Sequence, residues 1–225
     1  MVRSAGAETA LTREFFAGDA RDVAGALVGM VLVRPDGRKA RLVEVEAYLG
    51  TEDPGSHAFR GPTPRARIMF GPCGRLYVYF SYGVHWCANV VCGPEGTASA
   101  ILLRAAQPIG AVPAMRQARW HGQRQLRDRD LCRGPGRLCE AFGITGADNG
   151  LDLTAPTGGL WLADDGAGAG GEIVATPRVG LSRGADPLWR YVVAGSPWAS
   201  AGPTSPAGRG RPEGPVPHGP PSRLS

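Results

Sequence analysis

Glu46, one histidine and four of the five tyrosines of this chain lie between positions 46 and 82. They occur in the stretches VEAYLGTEDPGSHAFRG (45–61) and RLYVYFSYG (75–83). The residues are Glu46, Tyr48, His57, Tyr77, Tyr79 and Tyr82. A carboxylate can take a proton from an attacking water, and flat side chains can stack on a ring. This combination predicts a pocket in which a water is activated beside a flat ring.

Removal of a base from a nucleotide needs these same few groups. A carboxylate must deprotonate the water that attacks the anomeric carbon, and it also stabilises the oxocarbenium-like charge. Flat rings must hold the extruded base, and a further side chain must fill the gap left in the duplex. Each residue also has an ordinary interpretation, namely a solvated glutamate on a strand face, a packed tyrosine pair and a loop histidine.

Composition favours a polyanion as partner. The net charge is +5, and the basic residues are almost all arginine, because Lys39 is the only lysine. Arginine offers a planar fork that matches phosphate. The chain has no apolar run of 18 residues and no signal-peptide pattern at its start, which predicts a cytoplasmic protein without a membrane segment. Association with the nucleoid is expected only if the polyanion is DNA. Five cysteines without CxxC spacing predict reduced thiols and no metal site.

Hydrophobic periodicity predicts a mixed fold. Helices are predicted in ARDVAGALVGM, in AVPAMRQARW and in PGRLCEAFGI, the last with Pro135 at its first position. Strands are predicted on both sides of Pro35-Asp36-Gly37 and of Gly83, and in SAILLRAAQP, LWLADD, EIVATPRVGL and WRYVVAG. We therefore expect a single α+β domain over residues 1–200, with a curved, mainly antiparallel sheet flanked by helices.

The last 25 residues form a separate region. Residues 201–225 contain seven prolines and five glycines, with almost nothing apolar. Such a segment cannot bury enough surface to offset its ordering entropy, so a disordered Pro/Gly-rich tail is predicted.

The order of these segments resembles one known family, the alkyladenine (3-methyladenine) DNA glycosylases. The resemblance is carried by EAYLGTEDPGSHAFRGPTPRARIMFGPCGRLYVYFSYGVHWCANVV and ILLRAAQP, followed by LCRGPGRLCEAFGI, NGLDL, PRVGL and WRYVVAGSPWAS. It covers most of residues 11–200. It implies an enzyme of base excision repair that hydrolyses N-glycosyl bonds of alkylated purines in duplex DNA, without a cofactor or metal. It also implies a domain related to the C-terminal domain of formyltransferases, acting as a monomer.

The resemblance implies three catalytic positions. Glu46 matches the glutamate that activates water, and Arg104 in LLRA matches an arginine that helps to hold that water and the flipped nucleotide's backbone. A main-chain carbonyl near Val179 would be the third partner of the water. The family is monofunctional, with water rather than a lysine amine as nucleophile, and a chain with a single lysine fits this chemistry.

The resemblance also implies how base and duplex are held. Tyr48 and His57 match residues stacked on one side of the base, and Tyr79 matches the residue on the other side. Asn89 in CANVV matches a pocket residue that crowds a guanine amino group. Tyr82 matches the intercalating wedge.

Seven arginines between positions 116 and 137 are a second candidate for DNA contact. Arg133 and Arg137, which flank the Gly134-Pro135-Gly136 turn, are the ones expected to bind the DNA backbone. The alternative for the whole group is a solvated surface with local ion pairs. Two other functions remain open from sequence: a non-enzymatic nucleic-acid-binding module with tyrosine stacking platforms, and a formyltransferase-type domain.

Overall fold

A computed structural model of the chain describes residues 8–122, 126–181 and 183–202. Nine strands, three α-helices and six 3-10 helices occur within these ranges. The strands are β1 (Thr9–Ala10), β2 (Val31–Val33), β3 (Lys39–Leu49), β4 (Leu76–Ser81), β5 (His85–Cys92), β6 (Ser99–Gly110), β7 (Trp161–Asp164), β8 (Ile173–Thr176) and β9 (Arg190–Val193). The helices are α1 (Ala20–Leu27), α2 (Val112–Ala118) and α3 (Pro135–Phe142). The 3-10 helices are Arg13–Phe16, Gly50–Glu52, Arg67–Phe70, Asp128–Asp130, Gly146–Asp148 and Pro156–Gly158.

The long strand β3 organises an open, antiparallel sheet. The main path runs β1-β7-β2-β3-β6-β5-β4. One edge of β3 pairs with β6 along its whole length, while the other edge pairs first with β2 and then, from Glu44 to Glu46, with β9. Strand β8 continues outward from β9. Residues far apart in sequence therefore meet around the second half of β3.

The pairing of β3 with β6 is irregular at one place. The register shifts on both sides of Glu44, where Glu44 pairs with Ala105 and Val45 pairs with Leu103. Arg104 lies between these two partners. Irregularities of this kind bend a strand and change the direction of a side chain, which accounts for the direction taken by Arg104.

The two faces of β4 pack against different parts of the chain. Leu76 and Val78 belong to the main core with the buried sides of α1 and α3. Tyr77 alternates with them and packs on the other face, in a smaller cluster with Met69 from the connection between β3 and β4. That connection therefore covers the sheet on the side that carries the tyrosines.

The expectation of a single α+β fold with an antiparallel sheet is confirmed. Pro135 begins α3 as predicted, and the apolar side of α1 is buried. The sequence analysis did not anticipate β1 or the 3-10 helices. All five cysteines have free thiols. Within the described ranges, no helix has the length and apolar character needed to cross a bilayer. The predicted disordered tail falls, from residue 203 onward, outside the described residues.

Candidate active site

A cavity of about 600 Å³ lies between the tyrosine-bearing side of β4, the connection after β3 and the segment after β8. We call it the aromatic cavity. The sequence-predicted residues that line it are Tyr48, His57, Tyr79, Tyr82, Asn89, Arg104 and Val179. Glu46 contacts three of these lining residues and is itself fully buried. One site thus contains all the residues expected to act on the base.

The Glu46 carboxylate lies directly beneath the lining of the aromatic cavity, in contact with three lining residues, and we call this position the floor of the cavity. Its Oε2 accepts hydrogen bonds from the Tyr48 hydroxyl at 2.9 Å and from Nη1 of Arg104 at 3.3 Å. Its Oε1 accepts a bond from the Val179 backbone N–H at 2.8 Å. All three partners donate, which suits an ionised carboxylate. The sequence analysis expected a carbonyl near Val179, and the structure adds an amide of that residue as a direct partner of Glu46.

Tyr48 is held from behind by an arginine. The guanidinium of Arg178 lies 4.6 Å from the ring centroid of Tyr48 and 4.9 Å from that of Trp189. Arg178 is buried and does not line the aromatic cavity, so it covers the far face of the tyrosine and leaves the near face towards the cavity. Burial and the Glu46 carboxylate raise the pKa of Tyr48, which therefore stays protonated and donates.

Arg178 and its partner Asp53 are site residues that the sequence analysis missed. Two nitrogens of Arg178 contact the two carboxylate oxygens of Asp53 at 2.5 and 2.8 Å, and both side chains are fully buried. Arg178 also donates to the Ala47 carbonyl. Asp53 follows β3 and Arg178 follows β8, so this pair joins the two segments that border the aromatic cavity. A 125-residue separation leaves no local sequence signal for such a pair.

His57 and Tyr79 form one wall together. Their ring centroids are 4.4 Å apart in an edge arrangement, and Nδ1 of His57 lies 3.0 Å from the Tyr77 hydroxyl. A base stacked between two rings would separate them by about 7 Å, twice a stacking contact of about 3.5 Å. In this arrangement a base cannot lie between His57 and Tyr79. The contacts group His57 with Tyr79 in this structure, and the stacking of Tyr48 and His57 on one side of the base stays a prediction.

The charge state of His57 follows from its surroundings. Burial and the nearby charge of Arg65 lower the pKa of His57 to about 4. The imidazole is therefore neutral near pH 7. Arg65 also lies 4.7 Å from the ring centroid of Tyr79. Asn89 is buried at the back of the same wall, where its side-chain nitrogen donates to the Tyr77 carbonyl at 3.1 Å and so has a fixed orientation.

Tyr82 occupies the tip of the β4–β5 hairpin. The turn consists of Tyr82 and Gly83, with φ of 48° and 68°, and is closed by a bond from the Val84 N–H to the Ser81 carbonyl. Positive φ at both central positions is typical of the two-residue turns that match strand twist. The Tyr82 side chain is 92% exposed. Tyr82 therefore does not pack against other residues of the described chain.

Five of the seven arginines between residues 116 and 137 divide into two groups. Arg116, Arg119 and Arg127 pair with nearby acids, which is the local ion-pair alternative considered from sequence. Arg133 and Arg137 line a second cavity of about 700 Å³, which we call the arginine cleft and which shares His85 and Pro135 with the aromatic cavity. Arg133 also lies 4.0 Å from Asp130 and donates to the Ala199 carbonyl at 2.6 Å. Arg124 lies outside the described residues. Contact between DNA and the two cleft arginines remains a prediction.

Glu44 was assigned no role from sequence, although alternation placed it on the same face as Glu46. It is fully buried and bonded to Arg104, Arg190 and Ser200. Burial alone would raise the pKa of Glu44, but the charges of Arg104 and Arg190 outweigh it and lower that pKa. A second ionised carboxylate therefore lies behind the floor of the aromatic cavity.

Comparison with known proteins connects this geometry to one family. The profile of a family described as methylpurine-DNA glycosylase matches residues 14–197, which include every residue lining the aromatic cavity. A Burkholderia lata protein described as "Putative 3-methyladenine DNA glycosylase" is 49% identical over 190 residues, covering 84% of this chain and 90% of that protein. A Koribacter versatilis protein with the same description is 47% identical over 205 residues, covering 89% and 98%.

Proposed function

This chain belongs to the methylpurine-DNA glycosylase family, and from that premise we propose that it releases alkylated purines, 3-methyladenine among them, from duplex DNA by base flipping and hydrolysis. One observation carries the proposal. The Glu46 carboxylate lies buried under a cavity with aromatic walls, where a tyrosine hydroxyl, an arginine and a backbone amide hold it. Such a carboxylate is suited to accept a proton from a water held in the cavity.

The reaction needs one base and a water. The water oxygen forms a bond to the anomeric carbon while the glycosidic bond breaks, and the electron pair of that bond leaves with the purine. Glu46 takes the water's proton and stabilises the positive charge that develops on the sugar. An N3- or N7-alkylated purine already carries a positive charge, so it leaves as a neutral base without further protonation. A neutral lesion such as hypoxanthine would need such help.

The base is held between two aromatic walls. Tyr48 forms one wall, and the His57–Tyr79 contact forms the other. A cationic purine is attracted to tyrosine faces by about 0.5–2 kcal/mol per contact. Asn89, fixed at the back of the second wall, crowds the amino group of a guanine.

The duplex is opened and held outside the aromatic cavity. Tyr82 fills the gap left by the flipped base, and Arg133 and Arg137 contact phosphates beside it. Lys39, the single lysine, is paired with Glu8 at 2.6 Å, which agrees with attack by water and not by a lysine amine. The expectations of a monomer, of no cofactor and of association with the nucleoid stay predictions.

Incubation of the purified protein with methylated duplex DNA tests the proposal. We expect free 3-methyladenine in the supernatant by chromatography, and an intact DNA strand that breaks only after alkali. Unmethylated DNA is the control and should release nothing. Binding to methylated DNA without release of any base would overturn the proposal and favour the non-enzymatic binding module.

A further inference from the structure

Glu44 collects four hydrogen bonds in the interior behind Glu46. Its Oε1 accepts from Nε of Arg104 at 2.9 Å, from Nε of Arg190 at 2.7 Å and from the Ser200 hydroxyl at 2.7 Å. Its Oε2 accepts from the Ser200 backbone N–H at 2.6 Å. These donors come from three separate segments, so the position of the carboxylate is determined from several directions.

Arg104 lies between the two carboxylates and is held mainly by the one behind it. Its Nε bond to Glu44 is 2.9 Å, whereas its Nη1 contact with Glu46 is 3.3 Å. Its Nη2 lies 3.3 Å from the Ser200 hydroxyl. An arginine facing a single carboxylate usually forms a two-bond pair with it. Arg104 instead offers Glu46 only one nitrogen.

The charges of this group balance. Two carboxylates and two guanidiniums, Glu44, Glu46, Arg104 and Arg190, are buried together. Burial opposes the charge on Arg104, but Glu46 and Glu44 outweigh this effect and raise its pKa. A buried ion group of this kind is favourable only when its members are paired and hydrogen-bonded. Among the residues that the structure describes, loss of Glu44 would leave Glu46 as the one carboxylate paired with Arg104.

We propose that Glu44 is a positioning residue for catalysis. By holding Nε of Arg104, it restricts the arginine to a single contact with Glu46 Oε2, so that one acceptor position, on Oε1 beside the Val179 N–H, remains for the attacking water. Arg190 and Ser200 fix Glu44 in turn. The proposal rests on the proposed function for its kinetic consequence, but the arrangement of Arg104 can be measured without it.

The first test observes Arg104 directly by NMR of the arginine Nε–H groups. The Arg104 signal is identified by its loss in Arg104→Lys. A hydrogen bond to a charged group is worth about tenfold or more in an equilibrium, so exchange of this hydrogen with water should be about tenfold faster in Glu44→Gln. It should change less than about twofold in Glu46→Gln. Equal exchange in wild type and Glu44→Gln would overturn the proposal, whether or not the protein releases bases.

The second test measures single-turnover base release. Glu44→Gln should lower the rate by about 10- to 100-fold, less than the roughly 10²–10⁴-fold that a general base itself contributes, with the affinity for lesion DNA nearly unchanged. In a protein that already carries Arg104→Met, Glu44→Gln should lower the rate of base release by less than about twofold, because Glu44 acts through Arg104. Equal losses in both backgrounds, or no loss in wild type, would contradict the proposal.

Two further variants separate positioning from folding. Asp152→Asn removes a carboxylate that pairs with Arg13 outside the aromatic cavity, and it should leave the rate unchanged. Ser200→Ala keeps the backbone bond to Glu44 but removes the hydroxyl, which donates to Glu44 and accepts from Nη2 of Arg104. It should lower the rate about threefold or more, as for one or two modest hydrogen bonds. If Glu44→Gln does not fold, the rate of base release is compared with and without Ser200→Ala, in wild type and in Arg104→Met. An undiminished rate for Ser200→Ala in the wild-type background would then overturn the proposal. Failure of wild type to release any base would instead refute the proposed function.

Discussion

The floor of the aromatic cavity and the tip of the β4–β5 hairpin hold their functional side chains in opposite ways. Glu46 is fully buried and receives three hydrogen bonds. Tyr82 is 92% exposed and lies at a positive φ, which a bulky residue adopts rarely. The first residue is positioned by the fold before any substrate arrives, whereas the second projects into solvent from a turn.

This difference separates chemistry from recognition. A group that transfers a proton must be correctly placed when the reaction begins, so the fold supplies its contacts. A wedge can act only after DNA is bound, and the contacts that use it belong to the complex. Substitutions at Glu46 or at the residues around it should therefore alter the rate of base release or the free energy of unfolding. Substitutions at Tyr82 should alter base release without altering the free energy of unfolding.

Glu46→Gln tests the floor most severely. The amide is nearly isosteric but cannot take the water's proton, so single-turnover base release should fall by roughly 10²–10⁴. Binding to lesion DNA should persist in a gel-shift assay. Tyr48→Phe is the matched variant: it keeps the ring, loses the bond to Glu46 and should lose less activity. A rate within threefold of wild type for Glu46→Gln would refute its role as the base.

Asp53→Asn should destabilise the protein strongly. It breaks the fully buried pair with Arg178, and removal of one partner of such a pair costs about 3–5 kcal/mol. Asp36→Asn, which loosens a partly exposed pair with Arg38, should cost no more than about 1 kcal/mol. Urea unfolding gives both values. Similar losses for the two variants would mean that the buried pair is no more important than a surface one.

Tyr82→Ala should act on base flipping and leave the free energy of unfolding within about 0.5 kcal/mol of wild type. Unstacking costs a few kcal/mol and least at a site that is already mispaired. Excision should therefore fall markedly for a well-paired lesion and less for the same lesion in a bulge. Tyr82→Phe should behave like wild type. Equal losses in both DNA contexts would exclude a wedge.

Arg137→Ala should reduce the salt dependence of DNA binding. Each phosphate contact contributes about −0.9 to the slope of log K against log salt. Arg137 lines the arginine cleft, whereas Arg116 is paired with Asp128. We therefore expect a slope change of about one for Arg137→Ala and almost none for Arg116→Ala. Fluorescence titrations at several salt concentrations measure both, and equal slopes for the two variants would remove Arg137 from the DNA interface.

His57 should give the smallest effect, a pH dependence of stability. Its pKa of about 4 in the folded protein lies below the ordinary value of about 6.5, so the unfolded state binds the proton first as pH falls. The contribution of His57 to the free energy of unfolding should therefore decrease from about pH 6.5 towards pH 4. Above about pH 6.5 this contribution should be constant. The difference between the urea unfolding free energies of wild type and His57→Gln, measured at several pH values, gives the contribution of His57. Parallel curves would show that His57 titrates normally.

Local sequence patterns were sufficient for much of the fold. Alternation of apolar residues predicted the strands on both sides of Gly83, and it correctly placed Tyr77 and Tyr79 on one face. Pro135 marked the first residue of α3. These features depend on contacts within a few residues, which is why a single sequence can indicate them. The grouping of His57 with Tyr79 depends on how a long connection folds back on the sheet, and no local pattern records that.

The sequence by itself determined which chemical groups are available: one glutamate among tyrosines, an arginine in LLRA and a tyrosine at a hairpin turn. Only the tertiary structure decided that Glu44 and Glu46 are interior residues. A strand with alternating glutamates is ordinarily solvated on one face, but β9 pairs with the second half of β3 and brings Arg190 across 146 positions of sequence. The burial and the ion pairing of these glutamates depend on such distant partners. The pattern of residues along one strand gives no information about those partners.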